Sequence, residues 1–235
     1  MSEHSGDGAM DAEVRFFGIV TASVTHELNN INSTIEQIAG LLGDDLARAA
    51  NGQPPAPDRL HDIQARLVNQ AQRATATIER LNRFAHTTDE PRGHLELRGL
   101  LENLVDLCRR LAGLHRVELV CDFPPDELWI SCQPFLLQRV VFHCLSRLWL
   151  EAPSGEVILL TLERNTREVF ISICGPPPPP GAKGAHDALL DDMVAALPGS
   201  VRRSTRDGRP TIVIGLPDVL APGSFRIPPN EENGS

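Results

Sequence analysis

The residues of this chain best suited to chemistry lie in one short polar segment, THELNN, at positions 25–30. An imidazole is largely uncharged at neutral pH and can attack phosphorus without first losing a proton, so His26 is a candidate nucleophile. Glu27 follows it directly and can accept or orient the proton on the other ring nitrogen. Asn30 lies one turn further along a helix. His26, Glu27 and Asn30 therefore form the predicted catalytic site.

An apolar repeat surrounds this polar segment and predicts the helix that carries it. The apolar residues recur at alternating steps of four and three, at Val24, Leu28, Ile31, Ile35, Ile38 and Leu42. Such a repeat is typical of a helix that packs against other helices. Because each residue turns a helix by about 100°, Ser23, His26, Asn30 and Ser33 lie along an adjoining face. We expect the apolar seam to be buried and His26 to lie outside it.

Two long helices are predicted in residues 11–87. Helical periodicity runs from about Met10 to Arg48, and the segment NGQPPAPD at 51–58 ends it because proline cannot continue a helix. Asp58 is predicted to cap the second helix. The apolar stripe of that helix comprises Leu60, Ile63, Leu67, Ala71, Ala74, Ile78, Leu81 and Phe84. An antiparallel hairpin leaves part of each stripe exposed, so we expect a homodimer that forms a four-helix bundle.

The pattern changes to α+β after a predicted linker at 87–93. Strands are predicted at 95–97, 117–121, 128–130, 156–164, 168–174, 200–205 and 211–216, and helices at 100–114, 134–152 and 185–197. Helices laid against one face of a mixed sheet make a two-layer α/β sandwich over residues 94–217. The terminal segments, 1–10 and 221–235, are predicted to be unstructured.

Composition narrows the possible partners and compartments. The net charge of −9 and the absence of a dense Lys/Arg run argue against a nucleic-acid surface. The five cysteines show no metal-binding spacing, so we expect them to be free thiols in the core of a cytosolic protein. No signal peptide is evident, and no apolar run approaches the ~20 residues that cross a bilayer. We therefore expect a cytoplasmic protein that binds neither nucleic acid nor membrane.

THELNN on the first helix of a hairpin resembles the phosphoacceptor box of the dimerisation and histidine-phosphotransfer domain of bacterial sensor histidine kinases. The element order of 94–217 resembles their ATP-binding domain, the sandwich shared with gyrase and Hsp90. The resemblance covers about residues 12–217 and implies that His26 is the phosphoacceptor. The spacing from Glu27 to Asn30 also resembles the family's phosphatase signature, in which the amide orients a water. The family's proline after the box is missing, and Ile31 stands in its neighbourhood.

The resemblance breaks at the helix that should hold Mg²⁺ and phosphate. The family places two asparagines there, whereas His143 and Arg147 occupy the corresponding positions here, followed by bulky Leu148 and Trp149. Magnesium prefers hard oxygen ligands in octahedral geometry, so an imidazole and a guanidinium replace the asparagines poorly. We expect the metal site to be lost.

A second break falls on the family's Asp-x-Gly-x-Gly motif, which binds adenine. The corresponding segment here is ISICGPPPPPG at 171–181, in which Ile173 or Ser172 stands where the Asp belongs and prolines replace the second glycine. Only Gly181 and Gly184 resemble the glycine-rich lid that follows. A hydrogen-bonding site that loses its partner rejects its ligand strongly. We expect ATP binding to be lost and no cofactor to be bound by this chain.

Three function classes follow. The first is a histidine phosphotransferase of a two-component phosphorelay, in which His26 exchanges a phosphoryl group with receiver-domain aspartates of response regulators. Its Mg²⁺ would be held by the partner receiver, and an upstream hybrid histidine kinase is a further candidate partner. The second is a divergent ATP-dependent histidine kinase. The third is a non-catalytic dimeric regulator or a receiver phosphatase.

Overall fold

The computed structural model describes residues 4–89, 93–177, 188–206 and 208–219, with the side chains of the first helix described from Ala12 onward. The predicted unstructured tail, 221–235, lies outside the described residues, as do the glycines at 181 and 184. Contacts within the chain divide it into two compact units, Met1–Ala85 and His86–Ser235. The α+β fold class is confirmed, with a helical hairpin in the first unit and an α/β domain in the second.

The first unit is a hairpin of two helices, α1 (His4–Ala50) and α2 (Pro57–His86). α1 begins within the segment 1–10 that was predicted to be unstructured. The turn between the helices uses Gly52 at φ +81°, a left-handed conformation that glycine adopts without strain. α2 begins at Pro57, whose fixed φ suits a first helical position. Asp58 therefore lies in the first turn of α2, and the prediction that it caps the helix is wrong.

The two helices are antiparallel, as contacts at both ends show. Near the start of α1, the Phe16 ring meets the ring of Phe84 edge-on at 5.4 Å between centroids. Near the turn, Asp45 pairs with Arg59 on α2 and with Arg48 at 2.8 Å on its own helix. The Asp45 side chain is only 3% exposed, and breaking a buried pair leaves an uncompensated charge. This ion pair therefore fastens the turn end of the hairpin.

The predicted seam of α1 divides into two stripes. Val24, Ile31 and Ile38 are at most 3% exposed and face α2. Leu28, Ile35 and Leu42 are only half-buried. α2 has a similar incompletely covered stripe, in which Leu60 is 39% and Ile78 is 46% exposed. The hairpin therefore buries one side of its apolar surface and leaves a second side only half-buried. We call the second side, Leu28, Ile35 and Leu42 on α1, the outer stripe.

The second unit contains two sheets and three helices within the described residues. Its elements are β1 (Gly93–Glu96), α3 (Leu97–Leu114), β2 (Glu118–Asp122), β3 (Trp129–Cys132), α4 (Pro134–Glu151), β4 (Val157–Arg164), β5 (Glu168–Cys174), α5 (Ala188–Ala195), β6 (Ser200–Arg206) and β7 (Arg209–Pro217). The main sheet has the order β2-β4-β5-β7-β6, with β2 and β4 parallel and the other pairs antiparallel. β1 and β3 form a separate antiparallel pair.

Burial alternates along the central strands, as expected for a sheet covered on one face. Ile158, Leu160, Ile171, Ile173 and Ile214 are all fully buried, whereas the residues between them on β4 and β5 are half-buried. α3 and α4 supply the matching apolar residues, which are Leu101, Leu104, Val105, Leu137, Val140 and Val141. The domain is thus a two-layer arrangement with its core between helices and sheet.

The cysteines are all free thiols, and Cys108, Cys132 and Cys144 are buried. Burial raises the pKa of the Cys121 thiol to about 11, so this side chain is a weak nucleophile at neutral pH. Within the described residues, no group of three or more His, Cys, Asp or Glu side chains could hold a metal ion. No helix in the described part of the chain is both long and apolar enough to cross a membrane.

A glycine just before β6, Gly199, packs closely against the backbone of β7. A Cβ at Gly199 would lie 2.3 Å from the backbone oxygen of Gly215. We expect Gly199→Ala to destabilise this unit by about 3 kcal/mol, because a backbone atom must move to relieve the clash. Gly113→Ala in α3 is the control, since a Cβ there meets nothing within 4 Å. Urea unfolding followed by circular dichroism tests both, and equal midpoints would contradict the prediction.

Candidate functional site

The histidine of the predicted site lies on the surface of α1. His26 is exposed and lies outside the stripe that faces α2, as expected from its offset to Val24 and Ile31. α1 continues as one helix from His4 to Ala50, without a break after the polar segment. Ile31, which stands near the position of the family's proline, is 3% exposed and packs inside the hairpin. The imidazole is therefore presented to solvent from a regular helix.

The neighbours of His26 differ in how far they are exposed. Asn30 and Ser33 are exposed, and Glu27 is half-buried. Ser23, which was predicted to lie on the same helix face as His26, is only 4% exposed, because its side of α1 turns toward α2. The side chains of His26, Glu27 and Asn30 make no hydrogen bond or ion pair within the described residues. All three are available to a partner.

A groove begins two turns after the histidine. His26, Asn30, Thr34 and Ile38 are spaced by four residues and form one ridge that winds gradually toward α2. The Thr34 hydroxyl donates a hydrogen bond to the Asn30 carbonyl oxygen at 2.9 Å. The far end of the ridge borders a cavity of about 320 Å³, lined by Thr34, Ile38, Ala65, Arg66, Asn69 and Gln70. This groove was not predicted from the sequence, although the four-residue spacing of the ridge is visible there.

In the second unit, the positions that correspond to the family's asparagines carry no metal-binding oxygen. His143 is half-buried on α4, and Arg147 donates to Glu151 at 3.2 Å. Trp149 is buried and packs edge-on against Phe142 at 5.7 Å. An imidazole and an ion-paired guanidinium do not fit Mg²⁺, which prefers oxygen ligands. The residues present at these positions therefore do not fit a magnesium nucleotide.

The end of β5 is filled by apolar side chains. Ile173 is fully buried and lies between Leu160 and Ile212 in the sheet register. A Cβ on Gly175 would lie 2.6 Å from Leu148 Cδ2, so the leucine packs directly onto the glycine. The Gly175 backbone is also engaged, since its N–H donates to Pro210 at 2.9 Å. The segment predicted to correspond to the adenine-binding motif therefore makes closely packed apolar contacts at the end of β5.

A cavity of about 310 Å³ remains between α4, α5 and the β6–β7 hairpin. Its lining includes Cys144, Arg147, Leu148, Leu190, Arg203 and Thr211. The two arginines are each paired with a carboxylate, Arg147 with Glu151 and Arg203 with Asp191 at 2.8 Å. The cavity is at the small end of the range of ligand pockets, about 300–1,000 Å³.

Fold and site together define a two-unit α+β protein with an exposed histidine on a helical hairpin. The structure is similar to the nucleotide-free catalytic domain of the histidine kinase ThkA, with 13% identity, a TM-score of 0.46, and coverage of 55% of this chain and 97% of that one. It is also similar to the Acinetobacter baumannii histidine kinase AdeS, with 12% identity, a TM-score of 0.46, and coverage of 82% and 97%.

A further similar structure is histidine kinase ThkA in complex with the response regulator protein TrrA. The identity is 14% and the TM-score is 0.45, with coverage of 92% of this chain and 67% of that one. No protein-family model matches the sequence, and no curated protein matches it.

Proposed function

We propose that this chain is a two-component phosphorelay protein that accepts a phosphoryl group on His26 and passes it to or from a receiver-domain aspartate. The observation that carries this proposal is the exposed imidazole of His26 on α1, outside the buried stripe, with Asn30 exposed one turn away. A nucleophile that must enter the active site of another protein has to protrude from a rigid element, and a helix of 47 residues supplies one.

The proposed transfer exchanges one phosphorus bond for another. A lone pair on a ring nitrogen of His26 attacks the phosphorus of an aspartyl phosphate, and the bond from phosphorus to the carboxylate oxygen breaks. The aspartate leaves as a carboxylate, and the phosphoryl group stays on the ring nitrogen. Glu27 adjoins the ring in sequence and is placed to orient the proton on the second nitrogen. The reverse sequence passes the group to a second receiver.

Loss of ATP binding is part of the proposal. Its support is the contact of Leu148 with Gly175 and the burial of Ile173, which put apolar atoms where a nucleotide needs hydrogen-bond acceptors and space. An adenine amino group facing isoleucine loses a hydrogen bond, and such a loss rejects a ligand strongly. The phosphoryl group must then come from a phosphorylated protein, for which an upstream hybrid histidine kinase is the candidate donor.

We also propose that the chain is a homodimer that acts in the cytoplasm. The outer stripe of the hairpin supports the dimer, because Leu28, Ile35 and Leu42 recur every seven residues and are only half-buried in one chain. A second hairpin that covers this stripe would complete a four-helix bundle. His26 lies outside the stripe and stays accessible in such a dimer.

Two other functions are each favoured by one observation. The cavity of about 310 Å³ beside α4 favours a divergent ATP-dependent histidine kinase. The exposed amide of Asn30, three residues after Glu27, favours a receiver phosphatase in which the amide orients a water. In that case the protein removes phosphoryl groups from a receiver without carrying them itself.

Calorimetric titration with Mg-ATP separates the kinase from the relay protein. We expect no heat of binding up to 1 mM nucleotide and no label on the protein from γ-labelled ATP. The reason is that Ile173 cannot accept a hydrogen bond from adenine and that His143 and Arg147 offer no oxygen ligand to Mg²⁺. Label should instead arrive from a phosphorylated receiver domain. Micromolar binding of ATP with labelling of His26 would establish the kinase and contradict the proposal.

A further inference from the structure

Four arginines follow one another along α2 at a spacing of seven residues. They are Arg59, Arg66, Arg73 and Arg80, which we call the arginine stripe. Because an α-helix has 3.6 residues per turn, residues seven apart deviate by only about 20°, so the stripe follows one side of α2 for about 32 Å. The whole chain carries a net charge of −9, so this arrangement does not reflect a generally basic composition.

The arginines of the stripe differ in how closely a carboxylate pairs with them. Arg59 pairs with the buried carboxylate of Asp45 near the turn. Arg66 is 50% exposed and reaches Asp62 only at 3.7 Å, and exposed pairs of this kind contribute little. Arg73 is exposed and donates to the neutral amide oxygen of Gln70 at 3.3 Å. The middle of the stripe, Arg66 and Arg73, therefore offers positive charge to the solvent.

The middle of the arginine stripe lies on the same side of the hairpin as the histidine ridge. Arg66 and Thr34 line the same groove, one from each helix. Thr34 belongs to the ridge that begins with His26 and Asn30. Arg73 follows Arg66 by seven residues on α2 and so continues along the same side of that helix. Histidine ridge, groove and arginines thus share one open surface.

The position of His26 along α2 follows from the contacts at the two ends of the hairpin. Phe16 meets Phe84 and Asp45 meets Arg59, so the helices run side by side between these points. Interpolation places His26 level with about residues 75–77 of α2, and therefore within about one or two turns of Arg73 and Arg80. A partner that reaches His26 from this side approaches the stripe.

We infer that Arg66 and Arg73 form a docking surface for an acidic partner protein, namely the receiver domain that exchanges its phosphoryl group with His26. The inference rests on the proposed function. A phosphoryl group carries about 1.5 to 2 negative charges, and Mg²⁺ required for its transfer is held mainly by carboxylates. The partner surface next to its phosphorylated aspartate is therefore acidic. Such a surface complements the exposed guanidinium groups of Arg73, which is nearly level with His26, and of Arg66, which lies two turns further along α2 at the groove.

We expect the two arginines to act mainly by raising the rate at which the receiver domain associates with the hairpin. Complementary charge raises association rates by 10 to 10³-fold, and salt weakens the effect because the Debye length is about 10 Å at 0.1 M. We expect the double variant Arg66→Glu and Arg73→Glu to lower kcat/KM for labelling by a phosphorylated receiver by about 30-fold in 50 mM salt. We also expect a weaker dependence of the rate on salt than in the parent protein.

The control is Arg167→Glu in combination with Arg202→Glu, which gives the same change of net charge on exposed arginines of the second unit. A second readout is the Kd for an unphosphorylated receiver, measured by titration without any transfer. Circular dichroism verifies that the helices of each variant remain folded. The inference is overturned if the Arg66 and Arg73 double variant binds the receiver and accepts label as well as the parent protein does. It is also overturned if this variant is impaired no more than the control variant.

The two proposals fail in different ways. If the parent protein takes label from a receiver on His26 but the charge reversal has no effect, the phosphorelay function stands and the arginine stripe is only a solvated helix face. If the parent takes no label from any phosphorylated receiver, the proposed function is wrong, and the docking inference is overturned with it.

Discussion

His26→Gln is expected to abolish labelling of this protein by a phosphorylated receiver domain, with a fall of at least about 10³-fold in the rate. The glutamine amide keeps polarity and approximate size but offers no nucleophilic nitrogen lone pair, so the phosphorus–nitrogen bond cannot form. Because His26 is exposed on α1, the substitution removes no buried contact and should leave folding and assembly intact. Incubation with receiver carrying radiolabelled phosphate, followed by electrophoresis, measures the transfer.

The matched control for this experiment is His61→Gln. His61 is also an exposed histidine on a helix of the same hairpin, but it lies near the start of α2. It should retain full labelling. Equal labelling of the His26 variant and the parent would show that another residue carries the phosphoryl group, and loss of labelling in both histidine variants would show a general effect on the hairpin.

Leu28→Asp, or Ile35→Asp, is expected to convert the proposed dimer to a monomer. Both leucine and isoleucine belong to the outer stripe, which a single hairpin leaves half-buried. A carboxylate in a bundle core costs several kcal/mol, and twofold symmetry places it there twice. We expect the dissociation constant to rise at least about 100-fold, which corresponds to about 2.7 kcal/mol. Light scattering should then report 25.7 kDa instead of twice that mass.

Asn29→Asp serves as the control for the dimer experiment. It introduces the same charge on the neighbouring position of α1, but Asn29 is exposed and points away from both stripes. The control should remain dimeric at concentrations where the stripe variants have dissociated. A dimer mass that is unchanged in Leu28→Asp would reject the outer stripe as the interface.

Much of the fold could be predicted because its signals are local. The prolines of the segment 51–58 ended α1, and alternation of apolar residues gave β5 with the bounds found in the structure, Glu168–Cys174. The bounds of β1 and β3 were harder to predict. Each strand has only four residues, and its ends depend on hydrogen bonds to a partner strand that is distant in sequence. The first of the two strands therefore begins at Gly93, earlier than the predicted 95, and α3 begins at Leu97.

In the candidate site, too, features set by one helix could be predicted from the sequence, whereas features set by contact between α1 and α2 could not. Helical rotation predicted that His26 lies off the seam, and the structure places it on the surface. Rotation could not show how wide the contact with α2 is, so it did not predict that Ser23, on the same helix face as His26, is buried. The arginine stripe is visible as a seven-residue spacing, but only the position of α2 beside α1 reveals its relation to His26.

The leucine that packs onto Gly175 also limits how readily an adenine nucleotide site could be built at the end of β5. Introducing an aspartate at position 173 alone would put a carboxylate between Leu160 and Ile212, in a fully buried part of the sheet. The fold would lose stability before any ligand gained an acceptor. The side chain of Leu148 would have to shrink first, which by itself leaves a void. Building an adenine site here therefore requires at least two substitutions, and each of them alone lowers the stability of the fold.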